Sequence, residues 1–148
     1  MEMSEILKEL REKHQWTQEQ LAEKVLVTRQ AVSRWETGET QPNTDTLKLL
    51  SREYGVSINT LLGSPRQLFC QCCGMPLTED GFISRETDGS FNEDYCTWCY
   101  ADGKFIYASK DALLDFLLSH MPNPDQQPDS QRRAQYDQAL SHLKRWQA

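Results

Sequence analysis

The sequence predicts two modules: a mainly α N-terminal domain of five short helices, then a small α+β domain with C-terminal helices. Three observations carry this. Apolar residues recur at helical spacing through residues 4–63, punctuated by capping residues and glycines. All five cysteines fall within residues 70–99. Around and between them lie turn signals and short β-prone runs, and the helical period returns only after Ser109.

In chain order, residues 4–13 predict a first helix with Ile6, Leu7 and Leu10 as its inner stripe. Thr17 and Gln20 have the Thr-x-x-Gln spacing of a capping box, and Trp16 with Leu21 have the placing of a hydrophobic staple. Leu21, Ala22 and Val25 then form the buried stripe of a second helix. Thr28 caps a third, with Ala31, Val32 and Trp35 inward and Gly38 as a left-handed stop. Between these buried positions stand Arg29, Gln30, Ser33 and Arg34. Long, donor-rich side chains on the early turns of a short helix suit the reading of base edges in a major groove. Pro42 bars a helix in the loop that follows. Residues 44–54 form a fourth helix ending at Gly55, and Ser57 caps a fifth that carries Ile58, Leu61 and Leu62.

Residues 4–63, through Trp16-Thr-Gln-Glu-Gln-Leu-Ala, Val27-Thr-Arg-Gln-Ala-Val-Ser-Arg-Trp-Glu-Thr-Gly, Pro42 and the run 47–62, resemble the Cro/repressor, or XRE-type, helix-turn-helix family. The resemblance implies a lambda-repressor-like fold that binds double-stranded DNA, as a homodimer on a palindromic operator. It further implies that Gln18 and Asn43 contact phosphates, that Thr28, Arg29 and Gln30 contact bases, and that Ser33 and Arg34 make base or phosphate contacts one turn on. Gln18 and Asn43 are equally open to readings as a surface polar residue or a local cap. The sequence departs from the family at Leu26, a turn position where glycine or asparagine is common. A positive φ there would strain a leucine.

The cysteines form Cys70-Gln-Cys-Cys-Gly74 and Cys96-Thr-Trp-Cys99. Two Cys-x-x-Cys knuckles offer four thiolates suited to one tetrahedral Zn²⁺, and Gly74 permits the bend after Cys73. The predicted ligands are therefore Cys70, Cys73, Cys96 and Cys99. Cys72 is a small spare residue, with a redox or alternative-ligand role as the competing reading. Residues 81–84 and 105–107 read as short strands, with a turn at Thr87-Asp-Gly-Ser90. The stretches 69–77 and 93–105 resemble a zinc-ribbon family of bacterial proteins that often follows a helix-turn-helix domain. The same four cysteines match its ligands. A closed four-sulfur site is structural rather than catalytic, because no coordination position is left for water or substrate.

Ser109 caps a helix carrying Leu113, Leu114, Leu117, Leu118 and Met121, and a Pro-rich linker occupies 121–128. A last helix begins at Asp129, with Tyr136, Leu140, Leu143 and Trp146 on adjacent stripes. This helix is expected to cover the ribbon or to pair across a dimer. The expected domains are 1–63, 64–109 and 110–148.

The net charge of −6 divides unevenly. Residues 1–63 hold eight Lys/Arg against ten Asp/Glu, residues 64–109 three against seven, and residues 110–148 five of each. Only the first region suits a polyanion, so the acidic ribbon is expected to stand off the DNA as a partner or signal module. No apolar run approaches a membrane span, and the acidic start lacks an apolar signal core, which points to the cytoplasm. No nucleophile–base pair or open metal position suggests an enzyme. The expected function is sequence-specific transcription regulation. The alternative is a zinc-ribbon interaction module tethered by the helix-turn-helix domain.

Overall fold

The computed structural model describes residues 1–147. The chain forms two compact units, one of Met1–Gln67 with Asp88–Phe91 and the other of Leu68–Thr87 with residues from Asn92 onward. The first contains α1 (Met3–Lys13), α2 (Gln18–Lys24), α3 (Arg29–Thr37), α4 (Thr44–Tyr54) and α5 (Ile58–Leu61).

Four of these five helices begin where a side chain receives an otherwise orphaned backbone N–H. Thr17 and Gln20 make the full reciprocal capping box on α2. Thr28 caps α3 by accepting from the Ala31 N–H, Asn43 caps α4 from Thr46, and Ser57 caps α5 from Thr60. Gly38 and Gly55 end α3 and α4 in the left-handed conformation, at φ 84° and 66°. The stripes meet in one core of Leu7, Leu21, Ala22, Val25, Val32, Trp35, Leu50, Tyr54 and Leu61. Trp35 is thus a packing residue. Leu62 departs from its expected inward position: it lies one residue beyond α5, at the C-cap, and is exposed.

The second unit contains β1 (Ile83–Arg85), β2 (Phe91–Cys96), β3 (Tyr100–Ala101), β4 (Lys104–Phe105), α6 (Lys110–His120) and α7 (Asp129–Leu140). Strands β1 and β2 form one two-stranded sheet, and β3 and β4 another. The strands differ from those predicted. Residues 80–82 make a single 3₁₀ turn before β1, and Ile106 and Tyr107 lie outside β4. The β3–β4 hairpin turns on Asp102-Gly103, both at positive φ (51° and 78°). An Asp-Gly pair is a strong hairpin signal, because both central residues of the tight turn need that conformation. In this unit Leu68, Leu77, Ile83, Tyr95, Tyr100, Leu113, Leu114, Leu117 and Leu140 are buried.

The last helix is shorter than its apolar pattern suggests. Helix α7 stops at Leu140, and residues 144–146 form a separate 3₁₀ turn. Trp146 is therefore not on a stripe of α7. Its indole Nε1 donates to the Cys72 carbonyl at 2.7 Å, and the Arg145 backbone N–H donates to the Gln71 carbonyl. Residues 144–146 thus cover the first cysteine knuckle.

Candidate nucleic-acid interface and metal centre

The α2–turn–α3 segment presents the predicted DNA-facing residues on one short stretch. Arg29, Gln30 and Arg34 are exposed, and Ser33 is half-buried. Among the described residues, Arg29 and Gln30 have no ion pair or side-chain hydrogen bond. Arg34 lies 3.7 Å from Glu39 in an exposed pair. Such pairs contribute roughly 0–1 kcal/mol, so a phosphate or base could displace Glu39.

The capping residues have part of their capacity committed. The Thr28 hydroxyl accepts from Ala31, which leaves its proton free to donate. Asn43 uses Oδ1 on the Thr46 N–H at 2.9 Å, so only its amide NH₂ remains to offer a phosphate. Gln18 is half-buried, and its Nε2 lies 3.4 Å from Glu36 Oε1.

That glutamate belongs to a long-range contact that no local sequence pattern announces. Arg11 on α1 donates from Nε and Nη2 to the two carboxylate oxygens of Glu36 on α3, at 2.8 and 2.9 Å. A third donor, Nη1, reaches the Trp16 carbonyl at 2.8 Å. The Glu36 side chain is only 4% exposed. The Glu36 carboxylate, by hydrogen bonding and charge, raises the Arg11 pKa above its ordinary value. A bidentate fork of this kind fixes angle as well as distance, so the bearing of α3 is set from α1. The two residues are 25 apart in sequence, beyond the reach of any local pattern.

The α2–α3 turn carries Leu26 at φ 60° and 84% exposed. The strain anticipated for a leucine at positive φ is therefore present. The turn is held by a hydrogen bond from the Val27 N–H to the Ala22 carbonyl at 3.0 Å.

In the second unit, the sulfurs of Cys70, Cys73, Cys96 and Cys99 all lie within 4.8 Å of one another. Tetrahedral coordination at a Zn–S distance of ~2.3 Å requires sulfurs ~3.8 Å apart. Cys73 and Cys96 are 3.9 Å apart. Backbone N–H groups of Cys72, Cys73 and Cys96 point at Cys70 Sγ, at 3.3 to 3.5 Å. Gly74 takes φ 83° directly after the first knuckle. The donor set, all soft sulfur with N–H donors around it, fits a zinc ion.

The four thiols are hydrogen-bonded to one another. Hydrogen bonds from Cys73, Cys96 and Cys99 hold the Cys70 thiol far below its ordinary range. The bond to Cys70 in turn pushes Cys73 and Cys99 upward. A divalent cation would replace those protons.

Cys72 is wholly buried. Arg145 Nη1 approaches its sulfur at 3.8 Å, while Nη2 donates to the Tyr107 carbonyl and the guanidinium stacks 3.7 Å over Phe105. The Cys72 thiol is lowered, chiefly by hydrogen bonding from Cys99, with Arg145 adding to the effect.

Residues 69–147, more than half of the chain, match the family described as "Putative zinc ribbon domain", and the chain belongs to that family. Residues 7–61 match the helix-turn-helix family model. The protein thus joins an XRE-type helix-turn-helix domain to a zinc ribbon bearing a four-cysteine group. Over 62 residues it is 47% identical to the HTH-type transcriptional activator BcrR of Enterococcus faecalis, covering 42% of this chain and 30% of the relative. Over 63 residues it is 41% identical to the HTH-type transcriptional regulator ImmR of Bacillus subtilis, covering 43% of this chain and 50% of the relative. The chain therefore spans half or less of these two relatives. Among the described residues, no helix is long and apolar enough to cross a membrane.

Proposed function

We propose that this protein is a sequence-specific transcription regulator, acting in the cytoplasm as a homodimer on a palindromic operator. The observation that carries it is the outer face of α3, where exposed Arg29 and Gln30 have no ion pair or side-chain hydrogen bond among the described residues. In this reading Arg29, Gln30, Ser33 and Arg34 contact base edges, with Thr28 beside them. Gln18 and the Asn43 amide fix the register on phosphates. The likeness of residues 7–61 to regulators named as HTH-type supports it.

In the second unit, Cys70, Cys73, Cys96 and Cys99 hold one structural Zn²⁺. A saturated sulfur site has no open position for chemistry, which favours a non-enzymatic role. The acidic composition of the ribbon supports a place away from DNA, as a signal or partner module.

The test is Arg29→Ala in a mobility-shift series over operator variants. Affinity falls by about 1–3 kcal/mol, and discrimination relaxes at one base pair per half-site. Unchanged affinity and unchanged preference would remove Arg29 from the reading surface. A second arm deletes residues 64–148. If that chain regulates as the full protein does, the ribbon is not the input.

A further inference from the structure

The zinc-ribbon unit contains a cavity of about 690 Å³. That volume accommodates a drug-sized molecule. Trp98 and Ile106 line it from the ribbon, and Leu113, Phe116 and Leu117 line it from α6. Trp98 is 55% exposed and Phe116 40%, so these large apolar rings are only partly covered. Cys73, Cys96 and Cys99, three of the four clustered thiols, also border the cavity.

The charge pattern narrows the occupant. Among the described residues, no Lys, Arg, His, Asp or Glu lines the cavity. Arg145 lies outside that lining, against the Cys72 sulfur, the Tyr107 carbonyl and the Phe105 ring, and its single positive charge offsets only part of the charge of a four-thiolate zinc site. The cavity wall itself is made mostly of cysteines, aromatic rings and apolar side chains. Four thiolates around one divalent zinc leave an excess of negative charge. Apolar walls screen that charge poorly, and the faces of Trp98 and Tyr107 add their own attraction for cations, while one face of Phe116 is already stacked by the His120 ring at 4.1 Å.

We propose that this cavity binds a lipophilic organic cation, with its apolar body against Trp98, Phe116 and Leu117 and its cationic centre toward the thiolate cluster. The ribbon is then a ligand-input site of the regulator. This rests on the reading of the four cysteines as a zinc site.

The test uses the full zinc-loaded chain. Bound zinc is first counted by plasma mass spectrometry. Titration calorimetry then compares tetraphenylphosphonium with tetraphenylborate, an anion of nearly the same shape. The cation should bind once per chain, at least roughly tenfold more tightly than the anion. Trp98→Ala and Phe116→Ala should each weaken it roughly fivefold or more with zinc content retained. If one variant fails to hold zinc, the other decides.

Absence of zinc from the wild-type chain would overturn the metal reading itself. Zinc present with no cation binding, with equal affinity for both probes, or with tighter binding of the anion would overturn only this proposal. Cation affinity unchanged in the zinc-retaining variants would also overturn it. So would a second copy of the chain filling the cavity, seen in sedimentation as Trp98→Ala dissociating a dimer that takes up no cation.

Discussion

The Arg11 guanidinium forks onto the Glu36 carboxylate, Nε to Oε2 at 2.8 Å and Nη2 to Oε1 at 2.9 Å, and so fastens α1 to α3. Both side chains are largely removed from water. Removing one partner leaves the other charge buried and uncompensated, which costs more than the intact pair contributes. Glu36→Ala should therefore destabilise the N-terminal domain by about 3 kcal/mol in urea unfolding followed by circular dichroism. The double variant Arg11→Met/Glu36→Leu should lose clearly less, because no charge is stranded. Equal losses in the single and double variants would contradict this account of the pair.

Leu26 has the opposite sign. Its left-handed backbone costs a non-glycine residue about 1–2 kcal/mol, while glycine costs about 0.5–1 kcal/mol in chain entropy. Its side chain is mostly in solvent, so little packing is lost on its removal. Leu26→Gly should stabilise the domain by roughly 0.5–1 kcal/mol, and Leu26→Ile should destabilise it. Thermal melts of the two variants check this, and a melting temperature that falls for glycine would contradict it.

The cysteine cluster predicts a metal and pH dependence. Cys73→Ser should abolish stoichiometric zinc, whereas Cys72→Ser should retain one zinc per chain. Each zinc-bound sulfur must stay deprotonated, so protons compete with the metal for the four thiolates and the metal's contribution to stability is lost as pH falls. Acidification and chelation should both unfold the ribbon. Zinc content and ribbon melting, followed together against pH, test this. Zinc retained in Cys73→Ser and lost in Cys72→Ser would reassign the first knuckle.

The helical core was legible because its signals are local. Thr17, Thr28 and Ser57 announce helix starts, Gly38 and Gly55 announce stops, and the stripes between them repeat at 3.6 residues. The cysteine spacing likewise pointed to the four sulfurs that the fold brings together. Three features lay outside that reach. The Arg11–Glu36 fork joins residues whose neighbours say nothing of one another. Strand β2 is polar along most of its length, Phe91-Asn-Glu-Asp-Tyr-Cys, so alternation gave no sign of it. The last helix stops at Leu140 because Arg145 and Trp146 are held by tertiary partners at Cys72, Phe105 and Tyr107, although the apolar spacing of Leu143 and Trp146 continues a helix.

The proposed function rests on α3 reading a base sequence. The most direct measurement is selection from random double-stranded oligonucleotides with the purified full chain. An enriched palindromic motif is expected, with half-sites that lose selectivity in Arg29→Ala. Recovery of no motif, or of one whose base preferences are untouched by Arg29→Ala and by changes at Gln30 and Arg34, would contradict it.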